Sequence, residues 1–254
     1  MRQLILTALT GIGEVRRGAD LARLLAGALA ANGLTLETGD VLVVAQKIVS
    51  KAEGRRALLA EVEPSAHAVE LARIVLKDPR LVELILRESR EVLRAKPNVL
   101  IVEHRLGFVM ASAGVDQSNL PLSEDGRAAL LLPEDPDASA RRIRDGLQAL
   151  LGAAAGVVIN DSFGRAWRNG VSGIAIGIAG VPGLIDLRGS PDREGRPLEV
   201  TQVAAADELA AAASLVMGQA DESVPAVLAR GFPYAGREGS VQELLRSRAE
   251  DLFR

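Results

Sequence analysis

The stretch from Gly156 to Gly180, GVVINDSFGRAWRNGVSGIAIGIAG, constrains this chain more than any other, because two apolar runs enclose a chemically rich centre. Val157, Val158 and Ile159 form a short β-branched run that suits a buried strand. Asn160-Asp161-Ser162-Phe163-Gly164-Arg165 follows and reads as a loop at that strand's carboxyl end. In open α/β sheets, ligands sit at that end. Asp161 offers two hard oxygens, Ser162 a hydroxyl, and Arg165 and Arg168 forked donors for phosphate or carboxylate. An Asx-turn flanked by solvated arginines explains the same residues without chemistry.

A chain of 254 residues buries a substantial core, as one large domain or two intimately packed lobes. It has no cysteine, and its two histidines are His67 and His104, so thiolate chemistry, disulfides and imidazole-rich metal clusters are excluded. A catalytic metal should be hard and oxygen-bound, as magnesium, manganese and calcium are. The net charge of −3 and scattered arginines give no basic domain, so nucleic acid is not an expected partner. The amino terminus, MRQLILTALTG, is too short for a signal peptide, and no apolar span has membrane length. A cytoplasmic protein with an aliphatic core is expected.

Gln3 to Thr7 reads as a first strand, followed by a glycine loop from Gly11 to Gly18. Gly13 and Gly18 have P-loop spacing, but Ala19-Asp20 stands where Lys-Ser/Thr is needed, and Arg16 breaks the dinucleotide-binding pattern. Asp20 or a neighbour caps a helix through Ala31. Val41 to Ala45 is a β-rich run, and Lys51 beyond it is either a phosphate ligand or a solvated lysine. Pro64-Ser65 and Asp78-Pro79 open two helices, the second with Val82, Leu84, Ile85, Val92 and Leu93 as its apolar face and Arg87, Glu88, Arg90 and Glu91 solvated. His67 lies on the first of these helices. Val99 to Glu103 and Phe108 to Ser112 form a hairpin, with His104 at its turn. That hairpin leads to a polar cluster in which Asp116 is the second candidate carboxylate. Asp135-Pro136 opens a helix through Leu151, Val203 to Met217 is an alanine-rich helix, and the chain finishes in a short charged helix.

Five separated motifs, GDVLVVAQKIVSKAEGR from Gly39, GFVMASAGVDQSNLP from Gly107, NDSFGRAWRNG from Asn160, AIGIAG from Ala175 and ADELAAAASLVMGQADE from Ala206, occur in one order. Together they closely resemble the coenzyme F420-0:L-glutamate ligase family, which comprises CofE and the amino-terminal domain of FbiB. The likeness spans nearly the whole chain. It implies an α/β (mixed α+β) two-lobed fold, an intertwined homodimer, and a single ligase unit over residues 1–254 without the nitroreductase-like domain of FbiB. The implied reaction joins L-glutamate to the carboxylate of F420-0, a phosphodiester-linked deazaflavin, through an acyl phosphate formed from GTP.

Carried over by motif position, Asp116 and Asp161 hold one divalent metal, Mg2+ or Mn2+, and Ser162 and Gln219 a second. Asp116, Asp161 and Ser162 form the catalytic set, with serine where the family more often has threonine. The resemblance places the guanine nucleotide on Ile12, Gly13, Glu14, Val15, Gln46, Lys51 and Asn119. The same carry-over adds Met217, Gly218, Gln219, Ala220, Asp221, Glu222, Ser223 and Val224. K+ is a candidate monovalent ion. Two alternatives remain at this point: the same ligase chemistry on a related deazaflavin acid, and a non-catalytic module that binds GTP and metal.

Overall fold

The computed structural model of the chain describes residues 3–118, 127–234 and 236–252. In chain order, β1 (Ile5–Ala8) leads to α1 (Leu21–Ala31), and β2 (Val41–Ala45) passes straight into α2 (Gln46–Ala52). There follow β3 (Arg56–Leu58), α3 (Ala66–Val75), α4 (Pro79–Arg87), β4 (Ser89–Lys96), β5 (Val99–His104), β6 (Val109–Ala111) and β7 (Ala128–Leu130). The remainder comprises α5 (Pro136–Leu151), the long hairpin β8 (Gly156–Arg165) and β9 (Arg168–Ala179), the short pair β10 (Ile185–Asp186) and β11 (Gln202–Val203), α6 (Ala205–Met217) and β12 (Ala226–Arg230). Helix starts follow the local chemistry. The carboxylates of Asp20, Asp78 and Asp135 accept the first free N–H groups of α1, α4 and α5, and proline opens α4 and α5.

A five-stranded sheet in the order β1-β12-β2-β8-β9 organises the molecule. Its central neighbours β2 and β8 run parallel, and its other pairs are antiparallel. Leu42, Val44, Val157 and Ile159 face one core with α1 and α5, while Val41, Val43 and Val158 face another with α6. Burial on both faces explains the uninterrupted apolar runs. A third core joins α3 and α4 to the β4-β5-β6 sheet and forms a second lobe. The mixed α/β expectation holds.

Several local expectations change. Val92 and Leu93 belong to β4 rather than to the preceding helix, because antiparallel pairing with β5, bulged at Arg90 and Leu93, prevails over helical propensity after Glu88. Glu88 is buried, not solvated, and His104 is fully buried rather than resting at an exposed turn. The Asn160-to-Arg165 segment is strand, since it pairs with β9 and buries Phe163 edge-on against Phe108. β12 has no counterpart in the sequence reading, and the carboxyl-terminal region forms 3-10 turns, Val241–Leu244 and Arg248–Glu250, in place of a charged helix. Among the described residues no helix is long and apolar enough to cross a membrane.

Candidate active site

Pairing between β2 and β8 ends at Ala45 and Asn160, so β8 and β9 leave the sheet from there as a two-stranded arm. A bulge marks the departure: Ile159 opposes Gly177 and Asn160 opposes Ala175, which leaves Ile176 as an extra residue in β9. Such bulges turn a strand and re-aim its side chains. Asp161 and Ser162 are the first residues of the arm, at the carboxyl end of the parallel pair, beside the start of α2. This is the place where the topology of an open sheet leaves a crevice.

The crevice is a cleft of about 630 Å³. Ile12, Gly13 and Glu14 line it from the loop after β1, Gln46, Lys47, Ile48 and Lys51 from α2, and Asn160, Asp161 and Ser162 from β8. Met217 to Val224 supply the opposite wall after α6. Most residues assigned to the nucleotide by motif position therefore share one cavity. Val15 packs into the main core instead. Gln46 lines the cleft, but its amide nitrogen is directed inward, donating to Ser50 Oγ at 2.7 Å. Asn119 lies outside the described residues.

The loop after α6 depends on Gly218. Its φ is 76°, and a Cβ there would lie 2.1 Å from the Glu222 carboxyl carbon. Glu222 in turn accepts the Ala220 N–H at 2.8 Å, and backbone hydrogen bonds of this kind hold its carboxyl below the ordinary range. Next to this loop, Ser162 Oγ donates to Gln219 Oε1 at 2.8 Å, and Gln219 Nε2 donates to Ser214 Oγ at 2.8 Å. Ser214 thereby fixes the amide so that its oxygen faces Ser162.

Lys47 Nζ lies 2.7 Å from Asp116 Oδ2 and donates to Ser118 Oγ at 2.7 Å. Burial works to raise the Asp116 carboxyl, but the Lys47 ammonium and the Ser118 N–H and hydroxyl hold it below its ordinary value. Asp161 differs. Burial, with the Asp116 charge adding to it, pushes Asp161 up to about 6 against the opposing pull of the Ser162 N–H and Lys47. Asn160 is buried in the cleft wall, its amide nitrogen 3.5 Å from Met217 Sδ and its Oδ1 without a hydrogen-bond partner.

Among the described residues no group of three or more His, Cys, Asp or Glu is arranged to hold a metal. The donors here are instead two carboxylates, a hydroxyl and an amide oxygen. These are hard oxygens, and the under-neutralised Asp161 is one of them, so the set suits Mg2+ or Mn2+ completed by a ligand's own oxygens. Two contributors escaped the sequence reading. Lys47 had a signal, as a cation immediately beyond the carboxyl end of a buried strand. Ser214 had a weaker one, as the polar residue in AAAASLVM, spaced four after Ala210 and three before Met217 on the buried helix face.

Comparison with known proteins identifies the family. A family profile described as F420-0:Gamma-glutamyl ligase matches residues 11–231. The coenzyme F420:L-glutamate ligase of Methanothermobacter thermautotrophicus is 48% identical over 251 residues, covering 98% of both chains. The enzyme of the same name from Methanopyrus kandleri is 49% identical over 245 residues, 95% of this chain and 94% of its own. That of Archaeoglobus fulgidus is 44% identical over 244 residues, 96% and 94% of the two chains. With a matching profile across most of its length and near-full-length relatives approaching half identity, the chain belongs to the F420-0:gamma-glutamyl ligase family.

Proposed function

We propose that this protein is a GTP-dependent ligase that joins L-glutamate to the carboxylate of F420-0 through an acyl phosphate. The single observation that carries the reading is the convergence of Lys47, Asp161, Ser162 and Gln219 on one nucleotide-sized cleft, with Asp116 paired to Lys47 beside it. A free carboxylate does not accept an amine in water. Nucleotide-driven phosphorylation converts its oxygen into a leaving group, and such a transfer needs positioning and charge neutralisation more than a protein nucleophile. A cysteine-free, histidine-poor site supplies both.

In this reading the substrate carboxylate oxygen attacks the γ-phosphorus and GDP departs. The glutamate amine then attacks the acyl carbon, and phosphate leaves carrying one oxygen of the original carboxylate. Lys47 and Lys51 bring positive charge to the phosphate end of the cleft. Ser214 holds Gln219, and the Ser162 N–H holds Asp161 Oδ1 at 2.8 Å, so the oxygen donors are set before substrate arrives. Mg2+ or Mn2+ held by Asp116, Asp161, Ser162 and Gln219 would neutralise phosphate oxygens and orient them. Asp221 and Glu222 set carboxylate acceptors along the far wall, which suits the N–H donor edge of guanine.

Oxygen transfer tests the reading. F420-0 labelled with 18O in its carboxylate, incubated with GTP and glutamate, should pass one label to the released phosphate. Unlabelled phosphate accompanying amide product would overturn the acyl-phosphate route.

A further inference from the structure

β9 is an edge strand of the central sheet, so N–H groups that face away from β8 need acceptors elsewhere. Two carboxylates supply them on either side of the extra residue Ile176. Asp137, at the start of α5, accepts the Ile178 N–H at 2.8 Å. Asp207, in the first turn of α6, accepts the Ala175 N–H at 2.9 Å. α6 itself begins at Ala204 without a side-chain cap, so the Asp207 carboxylate serves the strand while its own helix goes uncapped.

About two turns further along α6 lies Ser214, which holds the Gln219 amide. This part of the helix rests on Gly173, where a Cβ would lie 2.5 Å from the Ala210 carbonyl oxygen and 2.8 Å from Ser214 Cβ. Gly173 opposes Ser162 across the β8-β9 hairpin. One helix therefore links two hydrogen bonds to the arm: Asp207 with Ala175 at its start, and Gln219 with Ser162 just beyond its end. Ala206, Ala210 and Ala213 share an apolar core with Ala175. Methyl contacts fix how close a helix lies but resist sliding weakly, whereas a charge-assisted hydrogen bond is directional.

We propose that Asp207 is a positioning residue: by taking the Ala175 N–H it sets the register of α6 on β9, and so brings Gln219 Oε1 to Ser162. The positioning stands on the metal-free geometry. Its consequence for metal binding rests on the ligase reading, in which Ser162 and Gln219 share a divalent ion.

Two measurements on the full-length protein test the two parts separately. In 15N spectra of metal-free protein, the Gln219 side-chain amide, assigned by its loss in Gln219→Ala, should be dispersed from solvent-exposed amides. Asp207→Asn keeps an oxygen acceptor for Ala175 and should leave that signal in place. Asp207→Ala should move it to the exposed position, and Asp207→Ser, too short to reach Ala175, should do the same. A Gln219 signal unmoved in both short variants would overturn the assignment. Mn2+ titration without nucleotide then reads the consequence. Asp207→Ala should bind Mn2+ roughly three- to tenfold more weakly, with Asp207→Asn within about twofold of wild type. In a Gln219→Ala background, Asp207→Ala should have almost no further effect, because both changes act through one contact. An equal loss in both backgrounds would show a general structural role and overturn the proposal. Absence of Mn2+ binding by the wild type, with the Gln219 signal moving as expected, would overturn the metal assignment and leave the positioning role standing.

Discussion

Lys47 Nζ sits 2.7 Å from Asp116 Oδ2, so a lysine at the start of α2 closes on the carboxylate that follows the β5-β6 hairpin. The ammonium stands where a divalent cation bound by Asp116 would place its charge. Lys47→Met should therefore tighten Mn2+ binding in the absence of nucleotide by roughly two- to fivefold, the scale of a partly exposed ion pair. The same change should lower turnover, because charge at the transferring phosphate is lost. Calorimetry and steady-state kinetics check the two halves, and weaker Mn2+ binding would contradict the competition.

Asp161→Asn separates fold from chemistry. The Asp161 carboxyl is raised to about 6, so in the metal-free protein the folded state binds more protons than the unfolded state between its unfolded value and about 6. Wild-type stability should fall as pH rises through that window, and the asparagine variant should lack that fall. Chemical unfolding at pH 4 and pH 7 measures the difference, expected to be about 1–3 kcal/mol at pH 7 in favour of the variant. Metal-dependent turnover should drop by about a hundredfold or more.

Glu88 gives the opposite sign. Burial works to raise its carboxyl, but His104, Arg55 and Arg105 together hold it at about 2. Arg55 Nη2 and Arg105 Nε donate to Glu88 Oε2 at 2.8 and 3.1 Å, and His104 Nε2 lies 3.6 Å away, an electrostatic contact rather than a hydrogen bond. A depressed carboxylate contributes stability that is full above its unfolded value, near 4.5, and is lost as pH falls towards 2. Acid unfolding should show that loss, about 3 kcal/mol at most. Glu88→Gln should remove the dependence and destabilise the neutral-pH protein by roughly 1–3 kcal/mol, since the partly buried Arg55 and Arg105 lose the charged acceptor they share.

Ser214→Ala releases Gln219 Nε2 from its acceptor and lets the amide rotate. Apparent metal affinity should weaken by roughly three- to tenfold, with the thermal midpoint little changed and Ser214→Thr restoring the wild-type value. Equal loss in the alanine and threonine variants would show that packing, not the hydroxyl, is responsible.

The pattern of residues foretold some features and concealed others for physical reasons. Asp20, Asp78 and Asp135 announced their helices because caps and N1 prolines act within one turn. Asp161 and Ser162 were singled out through the apolar run Val157 to Ile159 that leads into them. Their strand conformation was hidden, because Asp-Ser is locally a turn former and the pairing that overrides it comes from β9. Ala226 to Arg230 gave no periodic signal, since a strand buried between two neighbours reads as a short apolar run. Glu88 looked solvated because Arg55, its principal partner, is remote in sequence and meets it only when the two lobes pack.

The most direct measurement is mass spectrometry of the acid product after incubating the protein with F420-0, L-glutamate and Mn2+, with GTP and without it. The account predicts species heavier by whole glutamyl units only when GTP is present, with GDP and phosphate released in equal amounts. Folded protein that binds GTP and F420-0 yet yields no glutamylated product, or yields it equally without nucleotide, would contradict the account.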